Sequence, residues 1–260
     1  MPTFLFDSIV FGPVRSRRLG VSLGINLLPV DRKVCSFNCI YCECGWTTCS
    51  TATSGTLPSR GEVKEALRTK LEEMKARGEK PDVITYAGNG EPTQHPDFSG
   101  IIDDSIALRD ELFPEARISV LSNGSAIHRK RVREALMKID MNILKIDSAV
   151  AATREKLNQP NSRYDYEEFK GWLKEFGGRF IIQTLFVRGR YRGEVIDNTT
   201  PEEIEAWLTE VASLRPESVM IYTIERDTPL ENDLKKVPLA DLKAIAARVT
   251  GLGIPASVSG

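Results

Sequence analysis

The sequence has almost no net charge. Its 35 Lys and Arg stand against 36 Asp and Glu, a formal balance of −1 at pH 7. That excludes a uniformly basic coat for nucleic acid, though not a local basic patch. No apolar run approaches about 18 residues, so neither a transmembrane helix nor a membrane partner is expected. The stretch from Met1 to Gly12 lacks a basic segment followed by a small-residue cleavage site, so it does not read as a secretory signal. The expected location is cytoplasmic. There are only two histidines: His95, in Thr-Gln-His-Pro, reads as a turn residue, and His128, near a helix start, as exposed. No internal repeat, low-complexity tract or composition break is present, and one domain over residues 1–260 is expected.

The composition is that of a soluble globule, 41% hydrophobic and 27% charged over 260 residues. A chain of this length can bury about 70% of its surface, so it needs no disulfide or metal merely to make a core. That makes the cysteines informative. All five lie between Cys35 and Cys49. In a reducing compartment such clustered thiols read as a metal or redox site rather than as a disulfide framework.

Periodicity gives an alternating chain. Residues 1–30 hold two short β-like stretches around Gly12-Pro13. Ser59 and Glu62 have capping-box spacing, and Val63, Leu67, Leu71 and Met74 then mark one helical face. Strands follow at Val83–Ala87, Arg117–Leu121, Asn142–Ile146, Arg179–Val187 and Ser218–Ile224. Helices are expected over 99–112, 126–139, 151–157, from Asp165 to about Phe176, from Thr200 through Leu214, and over 239–250. Strands alternating with helices imply βαβ units and a parallel sheet of about six strands. A doubly wound sheet and a partial barrel both fit this string.

Polar and glycine residues cluster just after each strand: the cysteine loop, Gly88–Pro92, Ser122–Gly124, Lys145 to Ser148, Gln183 and Thr184 followed by Arg188-Gly-Arg190, and Glu225 to Asp227. In parallel α/β folds the active site lies at these carboxyl ends. The central motif is Cys35-Ser-Phe-Asn-Cys39-Ile-Tyr-Cys42. Three closely spaced thiolates suit zinc or an iron–sulfur cluster. A cubane held by three cysteines keeps one iron without a protein ligand, able to bind a substrate or cofactor.

This C-x3-C-x2-C loop, with Tyr41 before the third cysteine, resembles the signature of the radical S-adenosylmethionine (SAM) superfamily. Gly88-Asn89-Gly90-Glu91-Pro92 is similar to its Gly-Gly-Glu-Pro motif, with Asn89 at a position usually held by glycine. Gly12-Pro-Val-Arg-Ser-Arg-Arg-Leu-Gly20, Ser22-Leu-Gly-Ile-Asn26, Gly90-Glu-Pro-Thr-Gln-His-Pro96 and Ser122-Asn-Gly124 resemble the Fe–S oxidoreductase subgroup related to the tRNA wyosine-forming enzymes.

The resemblance implies an α/β fold, a partial (β/α)6 TIM-like barrel over about residues 31–250, with residues 1–30 as a short N-terminal β extension. It implies a [4Fe–4S] cluster on Cys35, Cys39 and Cys42, and SAM as the second cofactor. Reductive cleavage of SAM would give a 5′-deoxyadenosyl radical that takes hydrogen from the substrate. Tyr41 would lie near the adenine. The Gly88, Asn89, Gly90 and Glu91 turn would meet the SAM ammonium through backbone carbonyls. Ser122 and Asn123 match a strand-end pair that meets ribose or methionine groups, although Ser-Asn-Gly is also an ordinary turn.

Lys145 and Asp147 are assigned to the same cofactor site, Lys145 pairing either with the SAM carboxylate or with Asp147. No acid–base catalyst is assigned. Cys44 and Cys49 read as incidental loop thiols, a redox pair or substrate ligands. An electron donor such as flavodoxin or ferredoxin is implied. A small-molecule or peptide substrate is favoured, because 260 residues show no RNA-binding appendage. The alternative is tRNA base modification, with Arg15, Arg17, Arg18, Arg188, Arg190 and Arg192 on phosphates. A rival of another class is a non-catalytic zinc-binding module.

Overall fold

The computed structural model describes residues 4–16, 19–47, 57–161, 164–225, 228 and 233–260. Arg17, Arg18, Cys49, most of the Ser/Thr/Gly-rich stretch after Thr47, and Arg226 and Asp227 lie outside the described residues. The chain forms two compact units. The first comprises Leu5–Ser36 and Thr47–Asn142, the second Met1–Phe4, Phe37–Trp46 and Ile143–Gly260.

In the first unit come β1 (Val10–Ser16), β2 (Gly20–Ile25), α1 (Arg60–Ala76), β3 (Val83–Tyr86), α2 (Phe98–Leu112), β4 (Arg117–Ser122) and α3 (Lys130–Leu136). β1 pairs antiparallel with β2, while β2, β3 and β4 run parallel in that order. β2 fell within the N-terminal extension in the sequence reading; it pairs in parallel with β3, and β1 is the antiparallel addition. The capping box forms as spaced: Ser59 Oγ accepts from the Glu62 amide, and the Glu62 carboxylate accepts from the Ser59 amide at 2.7 Å. α1 then buries Val63, Leu67, Leu71 and Met74. Burial of such an apolar stripe, rather than propensity, supplies most helix stability.

The chain enters the second unit within β5 (Met141–Lys145), followed by α4 (Ala151–Asn158), α5 (Tyr166–Lys174), β6 (Ile181–Leu185), β7 (Val187–Tyr191), β8 (Glu194–Asp197), α6 (Pro201–Leu214), β9 (Ser218–Tyr222), β10 (Leu234–Lys236), α7 (Leu239–Gly251) and β11 (Ala256–Ser259). β5, β6, β9 and β11 pair in parallel in that order. Asp165 Oδ1 caps α5 by accepting from the amides of Glu167 and Glu168. Thr200 caps α6, with Pro201 at its first turn.

Three expectations change. The apolar run Arg179–Val187 is two strands: β6 ends at Leu185 and Val187 opens β7, which forms a small antiparallel sheet with β8 and β10. Buried Asn198 makes the break, accepting from the Val187 amide at 2.8 Å and donating to the Leu185 carbonyl at 2.7 Å. Arg188 and Arg190 therefore sit in a hairpin strand, not at a parallel strand end. The helix expected over 126–139 shrinks to α3. The last residues add β11 at the edge beside β9.

Replacing Ser59 by Ala removes the α1 cap. The expected cost is about 1 kcal/mol, or a fall of about 2–4 °C in Tm. Thermal unfolding checks it, and an unchanged Tm would deny the cap any energetic role.

Candidate functional site

In the first unit, the segment entering the cysteine loop is pinned to the glycine turn. The Val34 amide donates to the Asn89 carbonyl at 2.9 Å, and the Glu91 amide donates to the Val34 carbonyl at 3.1 Å. Gly90 has φ +140°, and a Cβ placed on it would lie 1.7 Å from the Val34 carbonyl oxygen. Glycine is required here by the chain's own backbone. Gly88 is also crowded, its Cβ position lying 2.5 Å from Asn26 Oδ1. The fully buried Asn89 side chain accepts from the Phe6 amide and donates to the carbonyls of Phe6 and Pro29. It anchors the segments that flank the sheet's first strands, a role not visible in its place within the motif.

Glu91 is buried, and four donors converge on its carboxylate: the amide and hydroxyl of Thr93, the Ser122 hydroxyl at 2.7 Å, and the Asn123 amide at 2.7 Å. Burial pushes its pKa up, and the hydrogen bonds partly oppose this. Asn123 turns its side-chain amide to Ser36 Oγ at 2.9 Å and to Cys35 Sγ at 3.5 Å. Asn89, Glu91, Ser122, Asn123 and Cys35 thus belong to one hydrogen-bonded assembly in this unit, with Gly88 and Gly90 in the same turn.

In the second unit, the counterpart is Asp147 at the end of β5. Its carboxylate accepts from the Leu185 amide at 2.9 Å, from Asn158 Nδ2 at 2.7 Å and from the Tyr41 hydroxyl. Lys145 Nζ lies 3.7 Å from Asp147 Oδ1, donates to the Tyr222 hydroxyl at 2.7 Å and sits over the rings of Tyr41 and Tyr222. Of the two partners expected for Lys145, Asp147 is present within the fold. Burial alone would lower the Lys145 pKa, but Asp147, Tyr222 and Cys39 outweigh it and hold the ammonium charged. Burial, then the negative charges of Asp147 and Cys39, push the Tyr41 hydroxyl well above its usual range. Asn158 Nδ2 also reaches the Tyr41 hydroxyl at 3.0 Å and Cys39 Sγ at 3.6 Å. Sequence reasoning missed Asn158 and Tyr222. Leu157-Asn-Gln-Pro160 read only as a helix end.

Cys35 and Cys39 are buried, Cys42 and Cys44 half-buried, and none of the four is in a disulfide. Among the described residues, no three His, Cys, Asp or Glu side chains are gathered as a metal site. Cys35 belongs to one unit, Cys39 and Cys42 to the other. The donor chemistry nonetheless fits an iron–sulfur group: three thiols outside disulfides, two of which accept amide N–H bonds suited to stabilising thiolates. His95 is a buried turn residue, its Nδ1 accepting from the Asp97 amide and its Nε2 bonded to the Pro58 carbonyl. His128 is exposed, as expected. Arg188 is paired with Asp197 and Asp241, while Arg190 and Arg192 are exposed.

Residues 32–197 match the radical SAM superfamily. The chain belongs to this superfamily of SAM- and iron–sulfur-dependent enzymes. It is 33% identical over 226 residues to a GTPase Obg of Brachyspira hyodysenteriae, covering 85% of this chain and 31% of that protein. It is 31% identical over 192 residues to a UPF0026 protein of Methanocaldococcus jannaschii, covering 74% of this chain and 53% of that protein. The chain therefore spans about half, or less, of these relatives' lengths.

Among solved structures, a radical SAM methyltransferase from Sphaerobacter thermophilus superposes with a TM-score of 0.65 at 14% identity, covering 92% of this chain and 65% of that one. Archaeal TYW1 superposes with a TM-score of 0.53 at 13% identity, covering 88% and 71%. This likeness is one of fold: the α/β partial barrel of TIM type that the motifs implied.

Gly90→Ala forces a Cβ into the Val34 carbonyl at a φ that side chains rarely adopt. A loss of more than about 3 kcal/mol is expected, at the severe end for one substitution. Denaturant unfolding of the metal-free protein checks it. A loss below about 1 kcal/mol would mean that the bridge relaxes freely.

Proposed function

We propose that this chain binds a [4Fe–4S] cluster through Cys35, Cys39 and Cys42 and, with SAM, abstracts hydrogen from a small-molecule or peptide substrate. The observation that carries the reading is the cysteine loop itself: three thiols outside disulfides inside the segment that matches the superfamily, with Asn123 and Asn158 amides directed at two of the sulfurs. When bound, the cluster supplies one electron for reductive cleavage of the SAM sulfonium.

The chain's own residues hold and orient. Glu91 keeps the glycine turn against the end of β4, so that backbone carbonyls of Gly88, Asn89 and Gly90 present acceptors for the SAM ammonium. Each carbonyl has two lone pairs, so the one on Asn89 that receives Val34 keeps capacity for a ligand. Lys145 has three ammonium protons; Tyr222 and Asp147 face two of them, and the third would be available to the SAM carboxylate. Asp147 holds the Tyr41 hydroxyl, and so the ring that would pack beside the adenine. Ser122 and Asn123 complete the methionine and ribose side of the site. Reducing equivalents come from a low-potential carrier such as flavodoxin or ferredoxin.

Superfamily membership counts against the zinc-binding module. Of the arginines raised for RNA contact, Arg188 is held by Asp197 and Asp241, which counts against its use on a phosphate. Among the described residues, no helix is long and apolar enough to cross a membrane.

Anaerobic reconstitution should give a brown protein with about four irons per chain. Cys35→Ala, Cys39→Ala and Cys42→Ala should each lose the iron, while Cys44→Ala keeps it. Dithionite with SAM should then yield 5′-deoxyadenosine without added substrate. A colourless protein with one zinc, or a reduced cluster that binds SAM yet forms no 5′-deoxyadenosine, would overturn the reading.

A further inference from the structure

The C-terminal end of α4 does more than finish a helix. Gln159 adopts a left-handed conformation, φ 41°, directly before Pro160. The last carbonyls of the helix are thereby presented to the cysteine loop. The Ile40 amide donates to the Leu157 carbonyl, and the Asn38 amide donates to the carbonyls of Asn158 and Gln159, all at 3.0 Å. Phe37 bridges Pro160 in antiparallel fashion. The backbone thus holds the loop on either side of Cys39, from Phe37 to Ile40, and the Asn158 side chain is carried to the sulfur.

That side chain is 3% exposed, and its amide nitrogen has three acceptors in reach: Asp147 Oδ2 at 2.7 Å, the Tyr41 hydroxyl at 3.0 Å and Cys39 Sγ at 3.6 Å. Sulfur's larger radius makes bonds to it longer than bonds to oxygen. Asp147 therefore orients an amide whose second proton lies within reach of both the Tyr41 hydroxyl and the Cys39 thiol. In the first unit Asn123 repeats the device. Its Oδ1 accepts from the Ser125 amide at 2.9 Å, which fixes the amide so that Nδ2 points to Ser36 Oγ and Cys35 Sγ. An asparagine offers a sulfur a donor without adding charge. An apolar residue of the same size would fill the space without it.

We propose that Asn158 and Asn123 are positioning residues that set the reduction potential of the cluster, through N–H···S bonds to Cys39 and Cys35. This rests on the function proposed above. One-electron reduction makes the cluster and its thiolates more negative. A donor to sulfur stabilises that state more than the oxidised one, so it raises the potential. Asp147, a negative charge beside the same loop, acts in the opposite direction.

The test is a potentiometric titration of the reconstituted holoprotein. Dithionite supplies the electron that takes [4Fe–4S]2+ to [4Fe–4S]+, iron is counted, and the reduced signal is read by EPR. Asn158→Leu and Asn123→Leu should each keep their iron and shift the potential to more negative values. The expected size is about a tenfold loss in the reduction equilibrium, or ~59 mV for one electron. Asp147→Asn removes a negative charge and should move the potential the other way, which a general loosening of the loop would not do.

Unchanged potentials in both leucine variants at full iron content would overturn the inference. If Asn158→Leu fails to hold iron, Asn123→Leu decides, because it acts on a different sulfur through different neighbours. A wild-type protein that never forms a cluster would sink the proposed function, and this inference with it.

Discussion

The close approach of two backbone segments, Val34 and Gly90, is the constraint on which much of the rest depends. Two backbone hydrogen bonds join a residue immediately before Cys35 to the turn after β3, at a separation that no side chain at position 90 would permit. This fixes where the cysteine loop departs from the sheet. It also fixes the turn itself, whose backbone would otherwise be free to vary. The first thiol and the glycine turn are therefore not two independently placed features. Each is held by the other.

Buried carboxylates do the corresponding work for side chains, one in each unit. Glu91 gathers Thr93, Ser122 and Asn123, and through Asn123 reaches Cys35. Asp147 gathers Tyr41, Asn158, Lys145 and the Leu185 amide, and through Asn158 reaches Cys39. A buried carboxylate is costly unless its oxygens are satisfied, and both are. They differ in balance. Lys145 offsets the charge of Asp147, whereas Glu91 relies on neutral donors, in keeping with its raised pKa. In both cases an asparagine is the last link to sulfur.

Local signals were readable where local physics decides. Ser59 with Glu62, Asp165 with Glu168, and Thr200 with Pro201 each place a helix start, because an N-cap is a contact over two or three residues. The cysteine spacing and the glycine turn carried the family. What was hidden depends on partners far away in sequence. Asn158 lies 119 residues from Cys39, and nothing at positions 157–160 announces a sulfur contact. The apolar run from Phe180 to Val187 shows no bend, since Asn198 imposes the break from 11 residues downstream. β11 is short and lies at an edge, so it lacks the two-sided apolar pattern of an interior strand. For Gly90 the residue type was legible, but its crowding by the Val34 carbonyl was not, because that contact joins segments far apart in sequence.

The central claim is that three thiolates hold the cluster and keep one iron open to SAM. Mössbauer spectroscopy of protein reconstituted with iron-57, recorded with and without SAM, tests it most directly. The account predicts that one of about four irons changes its isomer shift when SAM is added, while the others stay as they were. A spectrum indifferent to SAM, with all irons equivalent, would contradict it.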